Sequence, residues 1–304
     1  MPKLTIFTPV YNRAYILHQL YQSLLRQTSH AFEWVVIDDG SSDGTSELLE
    51  KWRKEKKIPI TFRQQENQGK HIAINSGVKL AQGELFFIVD SDDYLTDDAV
   101  QKILHFWASV RDDDSISGIM GYRIFSKKKL VGSMLPDSVK RCKLRDTALL
   151  YGAKGDKVVI YRTSLMKRFP YPQFEGEKFL GESYVFNQID DEYDMAVMRD
   201  YVYIFAYQKD GLSQNFRKLY RDNPRGFLAC FLQDIKYIRT RKEKVKTYAH
   251  ILCLSLKVGG ISLYVKQAFS LLGIISAVPA LYLYMTIFIL KRENVKPYTE
   301  TQDI

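Results

Sequence analysis

Two periodicities alternate along the first half of the chain. Short apolar or β-branched runs, "LTIFTPV" (4–10), "WVVID" (34–38), "PITFRQ" (59–64) and "ELFFIVD" (84–90), predict strands that end in polar clusters. Between them, "AYILHQLYQSLLRQT" (14–28), "TSELLEKWRKEKK" (45–57), "KHIAINSGVKLA" (70–81) and "DDAVQKILHFWASV" (97–110) place apolar residues every three or four positions, the pattern of amphipathic helices. Repeated alternation of this kind predicts an α/β fold, a mostly parallel central sheet between helices. Ligands bind such sheets beyond the carboxyl ends of the strands. Tyr11, Asn12 and Arg13, then Asp38 and Asp39, then Asp90 to Asp93 all fall at those ends. Further on, "SISGIMGYRIFSKKKLVGSML" (115–135) suggests a hairpin and "GDKVVIYRT" (155–163) another strand.

Composition adds limits. With 304 residues, 46% hydrophobic and 13% aromatic, the chain can fill a large core. Cys142, Cys230 and Cys253 form no CxxC pair, which argues against a structural zinc site or a disulfide framework and for a reducing compartment. The apolar run in "MPKLTIFTPVYNR" is short for a signal-peptide core and reads as a first strand, so the catalytic face is expected in the cytosol. All of the net charge of +9 lies beyond Leu212, where 15 basic residues face 6 acidic ones. "KYIRTRKEKVK" (236–246) holds much of it, and 268–290 carries no charge before Lys291 and Arg292. Basic residues beside a long apolar stretch point to an anionic membrane surface and away from nucleic acid. The expected organisation is a catalytic domain over 1–212 and a basic, helical, membrane-associating region over 213–304.

"DSDD" (90–93) is the cluster that composition cannot explain. Three carboxylates at the end of an apolar strand repel one another unless something compensates them, and an Asp-x-Asp pair suits a hard divalent cation that also takes phosphate oxygens. "DDGSSDGT" (38–45) reads equally as a turn with Asp43 or Thr45 near a helix cap, and "NQGK" (67–70) as a turn that leaves a lysine at a helix start, a fair anion site. No GxGxxG and no GxxxxGK[ST] follows the first strand, which excludes a Rossmann dinucleotide site and a P-loop. An aromatic Tyr11 and an acidic Asp39 at neighbouring strand ends could stack on a base and accept its N–H donors. His71, in the first turn of a helix, is left out of the chemistry.

"TPVYNR", "VVIDDGSSDGT", "ENQGKHIAINSG", "AQGELFFIVDSDD" and a later "GES" together resemble, in order and spacing over roughly 3–212, the family 2 inverting glycosyltransferases with the GT-A fold. The resemblance implies a nucleotide-diphosphate sugar donor, commonly a uridine one, and Mn2+ or Mg2+. It sets Pro9 and Tyr11 against the base, Asp39 on its imide, and Asn67, Gly69 and Lys70 along the nucleotide. Asp90 falls near the ribose and donor sugar and Asp92 on the metal, with Asp90 as a second metal carboxylate. Val10, Arg13 and Ser91 complete the implied nucleotide-sugar set, and Asp93 is left to order the loop.

An inverting displacement also needs a base for the acceptor hydroxyl. "QFEGEKFLGESYVFNQI" offers Glu175, Glu177 and Glu182. Glu182, just before a helix with an apolar face, fits the family pattern, though Ser183 stands where a second acidic residue is commoner; Glu177 is the reserve. The implied activity is sugar transfer to a glycan, lipid-linked and growing at the cytoplasmic face of the cell membrane, as in bacterial capsule or cell-wall polysaccharide assembly. Two other classes use similar residues: a sugar nucleotidyltransferase, which should show a glycine-rich basic loop after the first strand, and an inactive nucleotide-binding module on a membrane. Pro279, near the middle of the uncharged stretch, and basic residues on both flanks favour an interfacial or re-entrant anchor with a break at the proline.

Overall fold

The computed structural model describes residues 3–125, 129–206, 216–268 and 271–290. It divides into two compact units, residues 1–172 with 185–208, and residues 173–184 with 209–304.

In the first unit β1 (Leu4–Val10), β2 (Phe32–Asp38), β3 (Ile60–Gln64) and β4 (Leu85–Ile88) pair in the order β3-β2-β1-β4, every ladder parallel. Helices α1 (His18–Leu25), α2 (Thr45–Glu55) and α3 (Lys70–Leu80) carry the chain back between them, as parallel strands require. Because β2 and β3 extend the sheet to one side of β1 and β4 to the other, the crevice beyond β1 and β4 is a topological switch point, the place where such sheets take ligands. β1 and β2 are buried almost throughout, which is why they read as continuous apolar runs. On one face Tyr21 of α1 stacks on Trp52 of α2 at 4.1 Å, beside Trp34 of β2. On the other, Phe7 of β1 stacks on Phe86 of β4 at 5.1 Å. There α3 comes so close that a Cβ at Gly77 would stand 2.1 Å from Phe7 Cε2.

Past β4 the sheet becomes mixed. The short β5 (Tyr94–Leu95) leads to α4 (Ala99–Ala108), then come β6 (Ile116–Phe125), β7 (Arg141–Cys142), α5 (Asp146–Leu149), β8 (Lys157–Arg162), α6 (Thr163–Arg168), α7 (Ser183–Glu192) and β9 (Asp194–Phe205). The nine-stranded order is β3-β2-β1-β4-β8-β6-β9-β5, with β7 also on β9. β8 is antiparallel to β4 and β6, β6 is parallel to β9, and β5 and β7 are antiparallel to β9. The first four strands are thus wholly parallel, and the rest of the sheet combines the parallel β6–β9 ladder with antiparallel ones. The hairpin expected over 115–135 reduces, among the described residues, to a bridge between Ile124 and Leu130, because β6 takes its main partners from far along the chain. Gly118 permits this: a Cβ there would lie 2.0 Å from Ile160 O of β8. α1 is shorter than its periodic stretch, since Ile16 N and Leu17 N both turn back to Arg13 O.

The second unit is helical: α8 (Phe216–Asp222), α9 (Pro224–Asp234), α10 (Arg241–Val258), α11 (Ile261–Ala268) and α12 (Leu271–Tyr284), which continues as a π-helical turn over Met285–Ile289. Tyr220, Phe227, Ile251, Leu254 and Ile287 form its core. Thr240 caps α10 by accepting Glu243 N at 3.2 Å, while Gly259, at φ 74°, ends it. The break expected at Pro279 does not occur, and α12 runs through it. Proline removes one N–H, and packing of Ala280 and Ile287 into the cores that α10 helps form offsets that loss. Lys291 and Arg292 lie outside the described residues.

Replacing Gly77 by alanine should destabilise the first unit by about 1–3 kcal/mol through overpacking against Phe7, outweighing the gain of about 1 kcal/mol in helix propensity. A lowered urea midpoint checks this, and an unchanged or raised one would show that Phe7 moves aside freely.

Candidate active site

The polar clusters at the ends of β1, β2 and β4 meet at the switch point. Pro9 and Val10 close β1, and Asp39 N donates to Val10 O at 2.8 Å, joining the loops after β1 and β2. Asn12 adopts φ 53°, a left-handed conformation that asparagine tolerates. Its N–H donates to Ser41 Oγ and its Oδ1 accepts Ser42 N, both at 2.8 Å. Arg13 N donates to Thr45 Oγ1 and Ala14 N to Asp43 Oδ2, each at 3.0 Å. "YNR" and "SSDGT" are thus laced into one double loop, with Tyr11 left 49% exposed on its rim.

The plain turn reading of "DDGSSDGT" accounts for most of its polar residues. Asp38 accepts Ser41 N at 2.9 Å and the Ser46 hydroxyl, and Asp43 accepts Thr45 N at the start of α2. Asp39 does something else. Buried at 5% exposure, it accepts Gln65 Nε2 (2.8 Å) and Gln68 N (2.9 Å) on Oδ1 and Gly69 N (2.8 Å) on Oδ2. It therefore holds "NQGK" against the end of β2. Three of about four lone-pair positions are filled, leaving room for one further donor. The two loops touch at backbone distance: a Cβ at Gly40 would stand 3.0 Å from Asn67 N, and Gly40 and Gly69 both have positive φ, at 84° and 91°.

That arrangement launches α3 with Lys70 pointing at the acidic turn, where Nζ meets Asp90 Oδ1 at 2.6 Å. Burial pushes the Asp90 carboxyl up, but the Lys70 ammonium and the Arg123 guanidinium outweigh it and hold it below the usual range. Asp92, half-buried, is raised by burial and by the neighbouring Asp90 charge. Ser91 is buried between them in sequence. Asp93 is inside the protein, its Oδ2 accepting Tyr203 Oη at 2.6 Å and its Oδ1 accepting Ala206 N at 2.9 Å. Burial nevertheless raises it to about 7. The order-the-loop role expected for Asp93 matches this geometry. His71 is buried and, desolvated, has its pKa lowered to about 4, so it is neutral beside Tyr171.

Two residues here were not found by sequence reasoning. Tyr203 of β9 donates its hydroxyl to Asp93 and accepts Asp90 N at 3.1 Å, so one oxygen pins both ends of the turn. Arg123, opposite it on β6, lays its guanidinium 4.7 Å from the Tyr203 ring centroid. Both sit in strands whose pairing is non-local, and nothing in the local pattern separates them from ordinary strand residues.

Glu182 and the other two candidate bases belong to the second unit. Glu182 directly precedes α7. Glu177 is 8% exposed and spends both oxygens on the start of α9, accepting Arg225 N at 2.9 Å and Gly226 N at 2.8 Å. It is a helix cap, which removes it as the reserve base.

Whether the acidic turn suits a divalent cation is a question about its donors. Among the described residues no group of three His, Cys, Asp or Glu side chains is set to hold a metal. Asp92, with its charge disfavoured by burial and by Asp90, is a hard oxygen donor that a cation would relieve, and Asp90 already takes a cation, the Lys70 ammonium. The turn fits an ion that draws its remaining oxygens from a bound ligand.

Residues 5–169 match the model of Glycosyl transferase family 2. The chain belongs to this family. Over 219 residues it is 26% identical to the poly(ribitol-phosphate) beta-N-acetylglucosaminyltransferase TarS of Staphylococcus aureus, an alignment covering 69% of this chain and 36% of that protein. It spans less than half the length of such curated relatives. A crystal structure of S. aureus TarS 1–349 in complex with UDP-GlcNAc superposes with a TM-score of 0.56 at 22% identity, covering 93% of this chain and 81% of that one. Mannosyltransferase PcManGT from Pyrobaculum calidifontis, in complex with GDP-Man and Mn2+, gives 0.54 at 17% identity, covering 92% and 87%. These likenesses establish the GT-A fold of the family 2 glycosyltransferase.

Tyr203→Phe keeps the ring beside Arg123 and deletes only the hydroxyl. A buried acceptor left without its donor should cost about 1–3 kcal/mol in urea unfolding, and the Asp90 amide should exchange faster with solvent. Unchanged protection at Asp90 would mean that the hydroxyl does not hold the turn.

Proposed function

We propose that the chain is an inverting glycosyltransferase that moves a sugar from a nucleotide-diphosphate donor, a uridine one, to a hydroxyl of a lipid-linked glycan at the cytoplasmic face of a bacterial membrane, in capsule or cell-wall polysaccharide synthesis. The observation that carries this reading is the Lys70–Asp90 pair at 2.6 Å, next to half-buried Asp92 at the switch point of the sheet. Support for the donor comes from TarS, which binds UDP-GlcNAc in the same fold; support for the acceptor comes from the polymer in that relative's name. The tail over 213–304, with its apolar helix and basic excess, is read as the membrane-associating region.

In this reading Tyr11 stacks on the base, and Asp39 uses its remaining lone pair for the imide N–H. Pro9, Val10 and Arg13 line that end, and Asn67, Gly69 and Lys70 follow the nucleotide from the start of α3, where backbone N–H groups favour phosphate. Lys70 exchanges Asp90 for a phosphate oxygen, and Asp90 and Ser91 face the ribose and donor sugar. Asp92 and Asp90 would hold Mn2+ or Mg2+, which when bound would supply positive charge where the leaving diphosphate becomes more negative. Glu182 accepts the proton of the acceptor hydroxyl as its oxygen attacks the anomeric carbon from the side opposite the diphosphate. The new C–O bond forms as the bond to the diphosphate breaks, configuration inverts, and nucleoside diphosphate departs.

Incubating the protein with radiolabelled UDP-sugars and identifying the product tests the class. Nucleoside diphosphate is expected; pyrophosphate made from sugar phosphate and nucleoside triphosphate would indicate a nucleotidyltransferase instead. Asp92→Ala should lower turnover about a thousandfold or more, the scale of losing a charge that acts at the transition state. Full activity in that variant, or in wild type with excess chelator, would remove the metal from the reading.

The base is tested separately. Glu182→Gln should keep nucleotide affinity and lose transfer by about a hundredfold or more. Glu177→Ala should instead lower the melting temperature, by about 0.5–2 kcal/mol of stability for a lost cap, with nucleotide turnover retained. The reverse pattern would exchange the two roles.

A further inference from the structure

The geometry points to an in-plane membrane helix: we infer that the face of α12 left uncovered by α10 lies flat in the interface of an anionic bilayer and does not cross it. This rests on the membrane reading above and adds the orientation.

α12 is apolar on two opposite sides. One packs inward, with Ala280 in a cluster with Ala249 and Cys253, and Ile287 in one with Ile251 and Leu254. The other presents Ile274, Val278, Leu281, Tyr282, Met285 and Ile289 to solvent, with Val278 79% and Ile274 73% exposed. At 3.6 residues per turn Ile274, Val278, Leu281 and Tyr282 of the α-helical part fall on one stripe about 100° wide. Ile261 and Val265 of α11, each at least half exposed, add to the apolar surface of this region. A surface of this extent marks an interaction site.

By length alone the segment could span: Leu272–Ile289 is 18 residues, about 27 Å of helix against about 30 Å of hydrocarbon. α10 decides otherwise. The two helices are aligned in parallel, since Ala249 packs with Ala280, and Lys257 Nζ lies 5.5 Å from the Phe288 ring, 31 positions apart in both cases. Lys246 is therefore level with Ala277, about 5 Å from the midpoint of the apolar segment. A crossing α12 would carry this ammonium into the centre of the hydrocarbon, along with Lys257 further down. Between those two lysines α10 has only ten uncharged residues, about half of what a span needs.

Lying flat removes the conflict. The exposed stripe of α12 enters the acyl layer while α10 stays at headgroup depth. Lys257 is exposed beside the exposed Leu256, its ammonium 5.5 Å from the Phe288 ring at the polar edge of this apolar surface, a position from which a lysine can snorkel. Lys236, Arg239, Arg241, Lys242 and Lys246 are exposed as well, against the single acidic Glu243 of α10, and this charge selects an anionic surface. Pro279 is exposed on α12, so its missing N–H leaves the face toward α10 intact.

The test uses the full chain with a fluorophore on Ile274→Cys or on Ile289→Cys, floated with phosphatidylcholine vesicles with or without phosphatidylglycerol and quenched by brominated lipid. Flotation is expected with the anionic vesicles and about tenfold less with neutral ones. Both labels should report the same shallow depth. Val278→Lys, a solvent-exposed change, should weaken flotation about tenfold or more while leaving unfolding and donor turnover unchanged. Labels at depths belonging to opposite leaflets would overturn the in-plane orientation and leave membrane association standing. Equal flotation of Val278→Lys would overturn the assignment of the face. Absence of flotation would overturn both, and a dimer that Val278→Lys splits would then assign the face to a second copy of the chain.

Discussion

Three carboxylates at the end of one buried strand are the constraint around which the first unit is arranged. Asp90, Asp92 and Asp93 cannot all be charged inside a protein without opposite charge or hydrogen-bond donors, and each is treated differently. Asp90 is given two cations, Lys70 from α3 and Arg123 from β6. Asp93 is withdrawn into the interior and bound by a hydroxyl and a backbone N–H. Asp92, half-buried, is raised by burial and by the neighbouring Asp90 charge. The fold thus gives the first position cations and the last hydrogen-bond donors, and in the proposed function the middle one would take a divalent cation.

The compensation depends on backbone placement. Lys70 can reach Asp90 because Asp39 fixes Gln68 N and Gly69 N, and Asp39 can do so because its own N–H is tied to the end of β1. β1 in turn is paired to β2 and β4 in one parallel register. The elements that must move least are the three central strands, and the polar groups that must be placed most closely hang from their ends. In the proposed function a phosphate would replace one partner of Lys70 within a frame that is already built.

How much of this was legible in the sequence depends on how local the information is. β1, β2, β3, β4 and the helices between them follow from period and length, the rim residues Tyr11, Asp39 and Asp90 from strand ends, and Lys70 from a turn before a helix start. The mixed half does not: β6, β8 and β9 meet through pairings some 40 to 80 positions apart, and a strand's own residues carry little about which partner it takes. Tyr203 and Arg123 were missed for that reason. A tyrosine in "DYVYIF" looks like any half-buried strand residue until β9 is laid beside β6 and the end of β4. The same limit worked in the opposite direction at Pro279, where a local rule predicted a break and packing with α10 overrode it.

Glu177 and Glu182 show the limit most sharply. Five positions apart, each next to a glycine or its neighbour, they are interchangeable as candidates by residue type. The structure shows what one of them, Glu177, already does. The start of α9 leaves backbone N–H groups that its own helix cannot satisfy, and Pro224 at its first position offers none to a cap. Arg225 N and Gly226 N are the next two, and both end on Glu177. A carboxylate that took a proton from an acceptor hydroxyl would have to release that cap in every turnover, at a buried position where the freed N–H groups have no water to turn to. The demand for a satisfied helix end therefore falls on Glu177, both of whose oxygens are engaged in capping α9.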